Sequence, residues 1–173
     1  MIDTPRLLIR PLKAADAKPL AALWSDPAVT RYMGGPRDAV TVHRQVQEDA
    51  RAGTIRRLDL WPVVERATGQ VIGNCGLTEK EVDGKQEIEL VYVFATSAWG
   101  KGFATEAAAA IRDHAFRHLA VPGLIALIDP ENAASARVAE KVGMHLEGET
   151  RRPGGKIMHI YALSAPATSM EER

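Results

Sequence analysis

A strand, a glycine-bearing turn and a long alanine-rich helix run from Glu89 to Leu119, ELVYVFATSAWGKGFATEAAAAIRDHAFRHL, and the rest of the chain has to fold around that unit. Leu90 to Phe94 is a β-branched and aromatic run suited to a buried strand, and Gly100, Lys101, Gly102, Phe103 and Ala104 lead from it into helix-forming residues. The glycines remove Cβ atoms where a ligand would approach the backbone. The helix that follows presents unpaired N–H groups and the positive end of its dipole. Such a turn is an anion site suited to the diphosphate of a nucleotide-bearing cofactor. The same pattern also makes a tight strand-to-helix connection, so the turn by itself leaves both readings open.

At 173 residues the chain is one ordinary domain, 1–173, able to bury a full core without a disulfide or a metal. Lys+Arg 22 against Asp+Glu 22 gives a formal net charge of zero, so nucleic acid and anionic membranes are not expected partners. The single cysteine, Cys75, has no partner for an intramolecular disulfide, and no C-x-x-C or His pair offers a metal site. A reducing, cytoplasmic setting is the expectation, with Cys75 a small core residue of the strand Val71 to Leu77. No apolar run is long enough to span a bilayer, and Met1-Ile2-Asp3-Thr4 lacks the regions of a signal peptide.

Taken in order, Leu7 to Leu12 is a short β-like segment, and Asp16 is placed to cap a helix running to about Ser25, with Pro19 in its first turn. Leu20, Leu23 and Trp24 recur at helical spacing and face the core. Asp26-Pro27 stops this helix, Val29 to Met33 reads as a brief helical turn, Gly34-Gly35-Pro36 breaks it, and Asp38 caps another helix to about Ala52. Three strand candidates follow as an antiparallel meander: Leu58 to Glu65, Val71 to Thr78 and Glu87 to Phe94, the last two joined across Asp83-Gly84. Pro62 puts the first of them near an edge or a bulge. Ala107, Ala108, Ile111, Ala115 and Leu119 form the buried stripe of the long helix, with Glu106, Arg112 and Asp113 left for solvent. Leu124 to Ile128 is a short strand that completes a parallel crossover. Asn132 or Ser135 starts a helix ending at Gly143, and Met144 to Arg151 with Ile157 to Leu163 forms a last hairpin around Pro153-Gly154-Gly155 before a frayed tail at 165–173.

The string WGKGFATEA resembles the acyl-CoA pyrophosphate loop of the GNAT superfamily of N-acetyltransferases, whose motif is Q/R-x-x-G-x-G/A. Trp99 stands at the Q/R position, Gly102 at the first required glycine and Ala104 at the final small position. Trp99 is a departure that is itself usual in the branch resembling RimJ/RimL, the ribosomal-protein N-terminal acetyltransferases. Pro130-Glu131-Asn132-Ala133-Ala134-Ser135 followed by Glu140-Lys141-Val142-Gly143-Met144 is similar to that family's P-E-N-x-x-S…E-K-x-G-M/F segment. Thr4 to Leu12 and Trp24-Ser25-Asp26-Pro27 resemble the branch's opening. The resemblance implies an α/β (α+β) GNAT fold, a mixed sheet of about six to seven strands flanked by helices.

It also implies acetyl transfer from acetyl-CoA to an amine, with a protein N-terminal amine first and a small amine second, by a monomer or homodimer. Acetyl-CoA is then expected against Tyr92, Val93, Phe94, Trp99, Gly100, Lys101, Gly102, Phe103, Ala104, Thr105, Asn132 and Ser135, and the acceptor against Tyr32, Trp61 and Glu89. Glu89 corresponds to the general-base glutamate of several relatives, beside its plain reading as a strand-end carboxylate. The leaving-group tyrosine usual seven residues after the asparagine is absent, its position being Ala139. In the RimL-like branch a serine three residues after the asparagine hydrogen-bonds the sulfur, and Ser135 holds that position, which also suits a first-turn helix serine. Asn132 offers a donor and an acceptor to an amide-bearing pantetheine arm, or a helix cap. Two other classes compete. Strand, Gly100-x-Gly102, helix, strand and Asp129 imitate a dinucleotide fold, but Thr105 replaces the third glycine and an antiparallel meander precedes it. The missing tyrosine also keeps a catalytically silent acyl-CoA-binding module in view.

Overall fold

A computed structural model describes residues 1–53 and 56–167 of the chain, so the expected tail lies outside the described residues from 168 onward. Its strands are β1 (Ile2–Asp3), β2 (Leu7–Ile9), β3 (Leu60–Glu65), β4 (Val71–Val82), β5 (Lys85–Phe94), β6 (Gly123–Ile128), β7 (His145–Arg151) and β8 (Ile157–Ser164). Helices α1 (Ala17–Ser25), α2 (Pro27–Thr30) and α3 (Ala39–Ala52) fall between β2 and β3, α4 (Phe103–His118) between β5 and β6, and α5 (Ala133–Lys141) between β6 and β7. All eight strands form one sheet in the order β1-β2-β3-β4-β5-β6-β8-β7. The sheet is mixed, because β5 and β6 run parallel and every other neighbouring pair is antiparallel. The strand beyond the expected six to seven is β1, two residues long, which pairs Ile2 with Ile9 and Asp3 with Leu8.

Strand alternation sorts the side chains into two cores. On one face Cys75, Leu77, Leu90 and Phe94 meet the Ala107, Ala108, Ile111 and Ala115 stripe of α4, joined by Ala139 and Val142 around α5. Alanines at the α4 contact let the helix lie close to the sheet, as its sequence demands. On the other face Val93 packs with Ala17, Leu20, Leu23 and Trp24 of α1 and Val46 of α3. Trp24 is a core residue that donates its indole N–H to the Asn74 Oδ1 at 3.2 Å.

Local chemistry sets most boundaries. Asp38 caps α3 by accepting the Thr41 amide at 2.8 Å, and Gly53, at φ 61°, ends it in the left-handed region. Asp83 and Gly84 both take positive φ, 49° and 79°, and turn β4 into β5 as an Asp-Gly hairpin does. Three expectations are corrected. Asp16 makes no cap bond to α1; its buried carboxylate instead takes the Arg10 guanidinium in a fork (2.8 and 2.9 Å) and the Lys13 amide at 2.7 Å. The helical turn expected at Val29 to Met33 begins earlier, because Asp26 accepts the Ala28 amide and Pro27 supplies a ready first position. The hairpin arms run further than expected, to Val82 and from Lys85, since the strand end is held by contacts remote in sequence: Thr150 donates to Asp83 and Arg152 to the Glu81 carbonyl. Pro62 sits where β2 has already ended, beside a register shift between Val63 and Val64, which is how a strand paired on both sides accommodates it.

Gly76 lies on the face of α1 and α3, where a Cβ would overlap the Asp59 carbonyl of the backbone. Gly76→Ala is expected to lower unfolding free energy by about 1–3 kcal/mol, as overpacking against a fixed backbone does. Gly148→Ala, whose Cβ would meet nothing within 4 Å, is the control and should stay close to wild type in the same urea titration.

Candidate active site

The site begins as a fault in the sheet. The parallel strands β5 and β6 meet in a single pairing, Glu89 with Ile125. Beyond it β5 stays paired to β4 as far as Phe94, and β6 stays paired to β8 as far as Ile128. Their facing edges are therefore parted toward the C-terminal ends, leaving a slot inside the sheet lined by backbone N–H and C=O groups.

At the top of β5 a short 3₁₀ turn, Thr96–Ala98, delivers the chain to Trp99 and the glycine turn. Gly100 and Gly102 are both left-handed, at φ 72° and 79°, and Gly102 is the N-cap of α4. Among the described residues, no amide from Gly100 to Thr105 donates to a backbone carbonyl, which leaves a run of N–H groups without backbone partners at the positive end of α4. Trp99 is 52% exposed and anchored by its indole N–H on the Phe94 carbonyl at 2.8 Å. A Cβ on Gly100 would enter open space, whereas one on Gly102 would stand 3.4 Å from Arg6 Nη2. That is ordinary contact distance, so the left-handed φ, and not crowding, is what favours glycine at both positions.

Arg6 is a residue that the sequence did not single out. Its Nε donates to Glu106 Oε2 at 2.7 Å, its amide to Glu106 Oε1 at 2.9 Å, and its Nη1 to the Lys101 carbonyl at 2.8 Å, while the guanidinium lies 4.5 Å over the Phe103 ring. Thr4 adds a 2.7 Å bond to Glu106 Oε1. Glu106, expected in solvent, is only 17% exposed and ties the start of the chain to the first turn of α4. Burial acts to raise its carboxyl pKa, but the hydrogen bonds from Thr4 and Arg6 outweigh it and hold the group below its ordinary value.

Glu89 lies at the root of the slot, on the face of α1 and α3 with Val91 and Val93. Its side chain is 12% exposed, 3.6 Å from Lys80 Nζ and 3.5 Å from the Thr78 hydroxyl. Tyr92 points to the opposite face. Its hydroxyl donates to the Ser135 carbonyl at 2.9 Å and accepts from Ser135 Oγ at 3.2 Å. Asn132 caps α5, its Oδ1 accepting the Ser135 amide at 3.1 Å. Glu89 and Ser135 thus flank the slot from different sides and do not touch. Val93 is buried against α1 and α3, Phe94 and Phe103 in the core under α4, and Ala104 and Thr105 are half-buried in its first turn. Lys101 is exposed at the turn.

The acceptor residues divide. Tyr32 follows α2 on the Glu89 side, where its carbonyl accepts from Lys156 Nζ at 3.4 Å; Lys156 also pairs with Asp129, at the end of β6, at 2.8 Å. Trp61 is corrected: it faces α4, its ring 6.3 Å from that of His114, across the sheet from Glu89. It shares a face with Cys75, its partner in the β3–β4 register, and not with Thr78 or Glu89. Cys75 is buried and its thiol pushed up by that burial, which leaves it a core residue. Ala139 is fully buried. Among the described residues, no group of three or more His, Cys, Asp or Glu is arranged to hold a metal, and no helix is long and apolar enough to cross a membrane.

The parted sheet and its strand–glycine turn–helix unit have counterparts among known proteins, and the comparisons say which class the chain falls in. Residues 6–145 match the acetyltransferase (GNAT) domain, and the chain belongs to that family. It is 35% identical over 159 residues to an uncharacterised Bacillus subtilis (strain 168) protein, YkkB, covering 91% of this chain and 92% of that protein. It is 29% identical over 173 residues to an uncharacterised N-acetyltransferase, p20, of Bacillus licheniformis, covering 93% of each. A GNAT-family acetyltransferase from Bacillus anthracis superposes with a TM-score of 0.82 at 26% identity, over 95% of this chain and 98% of that one. The protein is an N-acetyltransferase that uses acetyl-CoA.

The Glu106 clamp has a definite pH signature. Because its folded pKa is depressed, its contribution is present above the ordinary carboxyl pKa and lost as pH falls through the depressed value. The Tm gap between wild type and Glu106→Gln is expected to be widest near neutrality and to close as pH falls from the ordinary carboxyl range through the depressed value. A gap that stays constant down to acid pH would remove the clamp from the account.

Proposed function

We propose that the chain transfers acetyl from acetyl-CoA to a primary amine, with a protein N-terminal amine as the first acceptor, as a member of the RimJ/RimL-like branch. The observation that carries the site assignment is the single Glu89–Ile125 bridge, because it fixes a carboxylate at the point where the slot opens. In this reading the diphosphate lies on the turn of Trp99 to Thr105, where free amides and a helix dipole favour anions. The pantetheine arm enters the slot beside Tyr92, Val93 and Phe94, its amides meeting the parted strand edges. The amine approaches from the side of Glu89 and Tyr32. Asn132 holds the start of α5, and Ser135 stands on the side where the thiolate departs. Acyl transfer needs a neutral amine and a stabilised leaving sulfur, and no covalent nucleophile.

A small amine is the alternative, favoured by Lys156, which joins Asp129 to the Tyr32 carbonyl and so closes one side of the mouth. A screen of peptide N-termini against polyamines, aminoglycosides and amino acids, read by release of the CoA thiol, separates the two.

Acetyl-CoA is expected to raise the melting temperature and NADH to leave it unchanged, since only a ligand of the folded state stabilises it by mass action. Equal protection by both would sink this placement of the cofactor. For the base, Glu89→Gln should slow turnover by ~10² near neutral pH and recover at high pH, where the amine arrives deprotonated. A loss independent of pH would reduce Glu89 to a structural carboxylate.

A further inference from the structure

A hydroxyl pair joins β5 to the start of α5 across the slot: Tyr92 and Ser135, 43 residues apart in sequence. Both protons are committed within the pair, that of Tyr92 to the Ser135 carbonyl and that of Ser135 Oγ to the Tyr92 oxygen. Neither is free for a third group unless one rotor turns. The tyrosine is the fixed member, since its ring packs into the core of the α4 face opposite Cys75 on β4. The serine hydroxyl turns about a single bond.

We infer that Tyr92 is the positioning residue for Ser135: it parks the serine hydroxyl at the slot and holds the residue by its carbonyl when the hydroxyl swings to the departing sulfur. The inference rests on the proposed role of Ser135 and adds the group that makes it effective. In the step itself the amine nitrogen bonds to the acetyl carbon, the carbon–sulfur bond breaks and its electron pair stays on sulfur. One proton leaves the amine for Glu89 or water, and one arrives at sulfur from water; Ser135 and Tyr92 keep theirs and contribute hydrogen bonds alone. Burial, above all, with Cys75, Tyr161 and Glu89 adding to it, pushes the Tyr92 phenol far above its ordinary value, and the bond from Ser135 does not offset this. A phenol so placed stays protonated and remains a hydrogen-bond partner.

The test is a double-mutant cycle with Tyr92→Phe, Ser135→Ala and both together, measuring kcat, acetyl-CoA affinity and Tm. Each single variant is expected to lose about 10-fold in kcat with acetyl-CoA affinity nearly unchanged, and the double to be no slower than Ser135→Ala. The alkaline side of the pH–rate profile should persist in Tyr92→Phe, because no tyrosine proton is consumed. Losses that multiply in the double variant, or an alkaline limb that vanishes with the phenol, overturn the inference. So does normal turnover in Tyr92→Phe when Ser135→Ala is slow. Normal turnover in Ser135→Ala is a different failure, since it removes the thiolate role of the serine and everything built on it. If Tyr92→Phe does not fold, 3-fluorotyrosine at position 92 keeps the shape and weakens the oxygen as an acceptor. Its rate effect should then appear with Ser135 present and disappear in Ser135→Ala, and an effect that persists overturns the inference.

Discussion

Everything that makes this sheet chemically useful depends on the parting of β5 from β6 after one bridge. A sheet interior normally pairs every backbone group, and an unpaired, water-poor N–H or C=O costs about 1–3 kcal/mol. Here two facing edges are left without each other in the middle of an eight-stranded sheet. The strands are held apart by their other neighbours, β4 on one side and β8 on the other, each paired along nearly its full length. The slot is therefore a rigid product of the outer pairings and does not close by slippage. In the proposed placement the amides of the acetyl-CoA arm complete the hydrogen bonding that the protein leaves open.

The second constraint is electrostatic. The amides of the glycine turn and the dipole of α4 are both positive, and Arg6 adds a cation at the same place. Glu106 answers that charge from within the first turn of the helix, receiving Thr4 and Arg6 together. The arrangement braces the turn through the Lys101 carbonyl and leaves its amides without backbone partners. A loop that must present unpaired donors to an anion needs its own shape fixed by other groups, and here the opening of the chain provides them.

How far the sequence could be read depends on the range of the interaction concerned. The caps at Asp38 and Asn132, the Asp83-Gly84 hairpin, the alanine stripe of α4 and the left-handed glycines were legible because each is decided by residues within a few positions of one another. Asp16 and Glu106 looked like a cap and a solvent charge for the same reason, and both were reassigned by arginines, one six residues away and one a hundred. Trp61 had no local signal to say which side of the sheet it would take; its register against Cys75 decided that, and register is set by the whole meander. The slot was hidden too, since nothing in Leu90 to Phe94 or Leu124 to Ile128 says that two apolar strands pair once and then separate.

That separation also explains why the proposed proton chemistry can be divided between two faces. An amine must lose a proton while a sulfur gains stabilisation, and a base beside an acid of matched strength would tend to neutralise it directly. Alternation along β5 sends Glu89 toward α1 and α3 and Tyr92 toward α4 and α5, with only two residues between them in the chain. The carboxylate is left with Lys80 and Thr78, partners that suit an ionised group. The hydroxyl pair lies on the other side in a setting that keeps it neutral. In the proposed arrangement a thioester placed between them meets Glu89 on its carbonyl side and, once its hydroxyl turns from Tyr92, Ser135 on its sulfur side. On this reading the reversal of side-chain direction from one residue to the next along a single strand is enough to keep the two functions apart.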